Sequence, residues 1–170
     1  MKIIVSVLIL FALVSLVPQG FAQISLGDPA NQVDVRVTIG EDGNVHVVHE
    51  IASNAKAQQL DLINGTVSDL KVADKEGNDV EFAKIGVEDI SSVTIFPTKE
   101  SVIVEYDLAD VLELKEDVWT WNFLYLQSTM FFFPESVDLI FVNDRPVNLG
   151  YNDAKGIRCH GCQMILEYII

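Results

Sequence analysis

From Val33 to Ile39 the chain reads Val-Asp-Val-Arg-Val-Thr-Ile, apolar and polar residues in strict alternation. A period of two puts Val33, Val35, Val37 and Ile39 on one face of an extended strand and Asp34, Arg36 and Thr38 on the other, a division no helix could keep. Asp42-Gly43 then supplies a turn with positive φ available, and Val45-His46-Val47-Val48-His49-Glu50-Ile51 returns as the partner strand. The unit is a β-hairpin whose apolar face requires a second layer to cover it.

Short strand-like runs continue to the end of the chain, at 59–63, 67–73, 80–83, 93–96, 102–108, 118–125, 130–133, 137–142 and 163–169. Gly65, Gly77, Pro97, Pro134, Arg145-Pro146 and Gly161 punctuate them. Helical spacing is sustained nowhere in this region, and only Ala109 to Lys115 predicts a single short helical turn. Many short strands in about 150 residues predict an all-β fold: one antiparallel two-layer β-sandwich, immunoglobulin-like or related, over residues 23–170.

The opening Val-x-Val-x-Val-x-Ile, Asp42-Gly43, Val-x-Val pattern and the Phe133-Pro134-Glu135-Ser136-Val137-Asp138-Leu139 segment resemble the extracytoplasmic β-sandwich modules of archaeal and bacterial cell-envelope proteins. That resemblance implies a surface location with a binding or structural role. It assigns no functional residue.

Residues 1–22 carry an address. Lys2 precedes a fifteen-residue apolar run, Ile3 to Val17, and Pro18, Gly20 and Ala22 complete a small-x-small processing site around Phe21. A run of that length falls short of the roughly 20 residues a membrane helix needs, so it reads as a secretory signal peptide cleaved after Ala22. No second apolar run reaches membrane length, and a secreted or cell-surface location outside the cytoplasm follows. Losing Lys2 from 11 basic residues leaves 10 against 25 acidic ones. Such a balance disfavours nucleic acid, which needs a basic patch. The acidic turns Gly40–Asn44 and Asp74–Asp79 lack the spacing of a calcium loop and read as hairpin turns.

Cys159-His160-Gly161-Cys162 holds both cysteines. In an oxidising compartment these two predict a disulfide across the His160-Gly161 turn. With Met164 they also form a soft ligand set, Cys159, His160, Cys162 and Met164, suited to copper. His46 and His49 stand three apart in a strand and face opposite ways, so they cannot hold one ion together; His49 shares the apolar face and is expected at the margin of the core.

Trp119, Trp121, Phe123 and Tyr125 alternate along one face, followed by Phe131-Phe132-Phe133. They are expected as core, with an exposed Trp119–Trp121 platform for glycan as the alternative. Asn64-Gly65-Thr66 is a glycosylation sequon placed in a turn. The sequence contains no Gly-x-Ser-x-Gly, no His-Glu-x-x-His and no Gly-rich phosphate loop. These features predict a non-enzymatic sandwich without a cofactor, serving structure or a protein partner at the cell envelope. A copper-handling protein and a carbohydrate-binding module are the alternatives.

Overall fold

A computed structural model describes residues 27–86, 89–148 and 155–170, and the side chain of Cys162 is not among the features described. The signal peptide expected over residues 1–22 lies outside these residues. Fifteen strands follow one another: β1 (Asp28–Pro29), β2 (Gln32–Ile39), β3 (Val45–Ile51), β4 (Gln58–Asp61), β5 (Thr66–Asp74), β6 (Phe82–Ile85), β7 (Ser92–Ile95), β8 (Val102–Ala109), β9 (Glu113–Lys115), β10 (Val118–Tyr125), β11 (Thr129–Phe133), β12 (Asp138–Val142), β13 (Val147–Asn148), β14 (Lys155–Cys159) and β15 (Cys162–Ile169). No helix occurs among the described residues.

The chain is an all-β sandwich, as its patterning predicts, built from three sheets. A seven-stranded sheet runs β13-β14-β11-β2-β3-β8-β5, and two four-stranded sheets run β12-β15-β10-β9 and β1-β4-β7-β6. Most neighbours are antiparallel, but β11 pairs β2 in parallel and β1 pairs β4 in parallel. Those pairings bring together segments distant in sequence, which local alternation does not report. The predicted helical turn is absent: its end, Glu113–Lys115, pairs with Val118–Thr120 as a hairpin, and Glu116 and Asp117 adopt positive φ in the turn between.

One apolar core joins all three sheets. Val35, Val37 and Ile39 of β2 are buried with Val45, Val47 and Ile51 of β3 and Val102, Val104 and Leu108 of β8. Across from them lie Trp121, Phe123, Met164, Leu166 and Tyr168 of one small sheet, and Leu60, Val93 and Ile95 of the other. Aromatic rings lock the larger interface, with Phe123 edge-on to Phe131 at 4.8 Å and Trp121 edge-on to Phe131 at 5.9 Å. Such pairs add to the hydrophobic term of burying rings of this size.

Two strands change sheet at the same place. β10 passes into β11 through Leu126, Gln127 and Ser128, while β14 passes into β15 through His160 and Gly161. Because β10 pairs β15 and β11 pairs β14, these four strands form one antiparallel ribbon folded over a corner, with Tyr125 opposite Cys162 before the bend and Thr129 opposite Cys159 after it. Gly161 permits the bend with φ of 59°, and a Cβ there would lie 3.0 Å from the Leu126 carbonyl oxygen. The Cys-His-Gly-Cys segment is therefore a sheet-to-sheet corner rather than the tip of a hairpin.

Candidate functional site

At the centre of the inner face of the large sheet stands a histidine. His49 is fully buried, deeper than the core-margin position expected for it, and shares its strand face with Val45, Val47 and Ile51. Both ring nitrogens are engaged: Nδ1 lies 2.9 Å from Gln32 Oε1, and Nε2 lies 2.9 Å from the Tyr106 hydroxyl. An amide oxygen can only accept, so Nδ1 carries the proton and donates it to Gln32. Nε2 then accepts from the Tyr106 O–H, whose oxygen accepts the Ile63 backbone N–H at 2.9 Å.

The reversed amide orientation would leave the Tyr106 proton without an acceptor. Burial holds the imidazole neutral and pushes its pKa down to about 3. The Tyr106 and Tyr125 hydroxyls are pushed well above the usual phenol range, first by burial. This network contains no charge, which is how a polar cluster survives in an apolar interior.

From Gln32 the network reaches the surface. The Tyr125 hydroxyl donates to the Asp61 carbonyl oxygen at 2.8 Å and lies 3.0 Å from Gln32 Oε1. Gln32, Asp61 and Tyr125 line a cleft of about 250 Å³ whose walls include Pro29, Leu124 and Leu126. Leu124 is 59% exposed and Leu126 81% exposed, at the corner where the ribbon changes sheet. No described residue accepts from the Gln32 amide nitrogen, so two N–H donors remain on a side chain already fixed by His49. The cleft is thus lined by the Gln32 amide, held by His49, by the exposed residue Asp61 and by an apolar rim. Sequence reasoning missed it because Gln32, Asp61 and Tyr125 are far apart in the chain. The one available signal was the paired Leu124 and Leu126 on the outer side of an otherwise aromatic strand.

The residues proposed for other chemistry are placed elsewhere. Cys159 is buried and its sulfur is not free, His160 is exposed with Nδ1 3.1 Å from the Ser128 hydroxyl, and Met164 points into the core with no measurable exposure. A thioether facing the interior cannot join a turn's histidine around one copper ion, so the Cys159–Met164 ligand set is not assembled. His46 faces out, with Nδ1 2.7 Å from Asp107. Trp121 is 3% exposed and belongs to the core.

Trp119 is half-buried, stacked on Tyr168 at 6.3 Å and packed against the β2–β3 turn, where a Cβ on Gly43 would lie 2.7 Å from the indole. The two tryptophans therefore form no exposed platform. Asn64 is exposed in the turn between β4 and β5.

No family model matches the sequence, and no curated protein matches it. Solved structures do resemble it. An aminopeptidase N family protein from Idiomarina loihiensis superimposes with a TM-score of 0.57 at 11% identity, over 79% of this chain and 29% of that one. The leukotriene A4 hydrolase of Saccharomyces cerevisiae gives 0.47 at 6% identity over 94% and 32% of the two chains, and an M1 zinc metallopeptidase from Deinococcus radiodurans gives 0.45 at 13% over 85% and 44%. The chain spans less than half the length of each.

The first likeness establishes a shared fold, which in that protein is part of a longer aminopeptidase N family chain. That corrects the expectation of a structural or interaction sandwich as what this fold serves. The described residues do not gather into a zinc site. Its three histidines are His46, facing out, His49, with both nitrogens bonded in the core, and His160, at the corner; among the described residues no three His, Cys, Asp or Glu side chains gather to hold a metal.

Proposed function

We propose that this chain is the β-domain of a peptidase-type enzyme, holding a peptide segment in the cleft beside Tyr125 while the hydrolytic centre is supplied by another domain or subunit. The observation that carries this reading is the Gln32 amide, fixed by a buried neutral histidine and left with free donors in an apolar-rimmed cleft. A peptide carbonyl accepts from such a donor, a peptide N–H or ammonium group is met by Asp61, and an apolar side chain rests on Leu124 and Leu126. The fold likeness to an aminopeptidase-family chain supports the same reading.

The test has two arms. Affinity-purified protein from its native source is assayed for chelator-sensitive hydrolysis of aminoacyl anilides, and the purified chain is titrated with a fluorescent apolar peptide. Peptidase activity that follows the chain, with peptide binding weakened by Leu126→Asp, is the expected result. A chain that binds no peptide and travels without peptidase activity would refute the proposal.

A further inference from the structure

The three sheets expose six edge strands, and five are blunted against further pairing. β1 carries Pro29, β6 carries Lys84, β9 carries Glu113 and Lys115, and β13 is only two residues long. β5 breaks its register between Ser68 and Lys71, with Asp69 at positive φ. Charges, proline, bulges and short length are the usual means of keeping a sheet edge from adding another strand. β12 also has a register shift, between Leu139 and Phe141, and a charge at Asp138, but it adds three consecutive apolar residues, Leu139, Ile140 and Phe141, which are 38%, 50% and 47% exposed.

The sequence around β12 is complementary to itself under a twofold rotation. Counting five residues from Ile140 in each direction reaches Glu135, in the turn before the strand, and Arg145, after the bend that follows it. Neither side chain makes an ion pair among the described residues. In an antiparallel pairing of two copies about Ile140, Leu139 meets Phe141 of the partner subunit, and each Glu135 comes to the end where Arg145 of the partner subunit lies.

Among the described residues the other charges near that end are Asp138, already paired with Lys155 at 3.2 Å, Glu41, whose carboxylate accepts from the Ser136 hydroxyl at 2.6 Å, and Asp144, whose carboxylate accepts the Arg145 backbone N–H at 2.7 Å. A net charge of −14 on each copy opposes association at long range, so a local opposite-charge pair is what favours this register over others.

We propose that two copies of this chain pair along β12, joining their β12-β15-β10-β9 sheets into one continuous eight-stranded sheet across a twofold axis. The measurement is sedimentation equilibrium of the purified protein over a wide concentration range. Expected is a reversible monomer–dimer equilibrium, abolished by Ile140→Lys. Arg145→Glu should weaken it about tenfold through the two symmetric pairs, and adding Glu135→Arg should restore it. All these positions are exposed, and unchanged circular dichroism controls for folding. Mass that stays monomeric at every concentration, or association indifferent to Ile140→Lys or to the paired charge reversal, overturns the proposal.

Discussion

The Tyr106 hydroxyl lies 2.9 Å from His49 Nε2, and among the described residues it is the group that gives that side of the imidazole a proton to accept. Since Nδ1 donates to Gln32, the pair fixes a single tautomer in the middle of an apolar core.

That arrangement makes stability depend on pH in a defined direction. His49 has its folded pKa lowered to about 3, below the ordinary value of 6.5, so the unfolded chain binds more protons once the pH falls below about 6.5. Stability is then complete above that point and declines by about 1.4 kcal/mol per pH unit towards about pH 3. Urea unfolding between about pH 6.5 and pH 5, where carboxylates contribute little, should show this slope in the wild type and lose it in His49→Gln. An equal slope in both proteins would mean that His49 does not titrate on unfolding.

Removing the hydroxyl of Tyr106 and that of Tyr168 should have opposite effects. Tyr106→Phe leaves the Ile63 N–H and His49 Nε2 without partners inside the core, at a cost of about 2–4 kcal/mol. Tyr168 is equally buried, but its hydroxyl has no hydrogen-bond partner among the described residues, and burial pushes its pKa up to about 12. Tyr168→Phe should therefore be neutral or stabilising by up to about 1 kcal/mol. Chemical unfolding of the two variants side by side is the check, and a loss of stability in Tyr168→Phe would point to a partner for that oxygen.

The two faces of β10 predict a contrast of another kind. Phe123 packs edge-on against both Trp121 and Phe131, so Phe123→Ala should cost about 3–5 kcal/mol. Leu124, one residue along and 59% exposed, should tolerate Ala within about 0.5 kcal/mol. If Leu124→Ala instead weakens peptide binding at unchanged stability, the cleft reading gains directly.

How much of this was legible follows from the range of each interaction. The alternation of Val35–Ile39 and the aromatic alternation of β10 are local, and both faces fell where a period of two puts them, whereas Val33, expected on the same face, sits at the register shift between Gln32 and Asp34 and is 60% exposed. Asp42-Gly43 gave its turn for the same reason. The parallel pairing of Met130–Phe132 with Arg36–Thr38 spans most of the chain and leaves no mark in either segment alone. Ala109–Lys115 was misread because a three-residue edge strand is too short to establish a period.

The candidate cleft depends on the same long-range assembly. His49 was recognisable as an inward-facing residue, whereas its bonds to Gln32 and Tyr106 required three strands to be placed side by side. A buried polar network of this kind has no spacing rule, and Gln32 in particular reads as an ordinary first residue of a strand.

The corner where β10–β11 and β14–β15 bend together carries the last prediction. Cys159 is buried and not free, and Cys162 opens the next strand with only His160 and Gly161 between them. A disulfide between these two cysteines would close a ring of four residues, for which loop entropy gives about 2 kcal/mol. The glycine within the ring should matter as much as the bridge. At φ of 59° and with the Leu126 carbonyl 3.0 Å from any added Cβ, Gly161→Val combines left-handed strain with a steric clash, costing about 2 kcal/mol or more. Cys159→Ser with Cys162→Ser should lower the melting temperature by several degrees while the far-ultraviolet spectrum keeps its β signature. Protein isolated without reductant should resist alkylation at both cysteines; two freely alkylated thiols would remove the bridge from the account and leave the bend to Gly161 and the His160–Ser128 hydrogen bond alone.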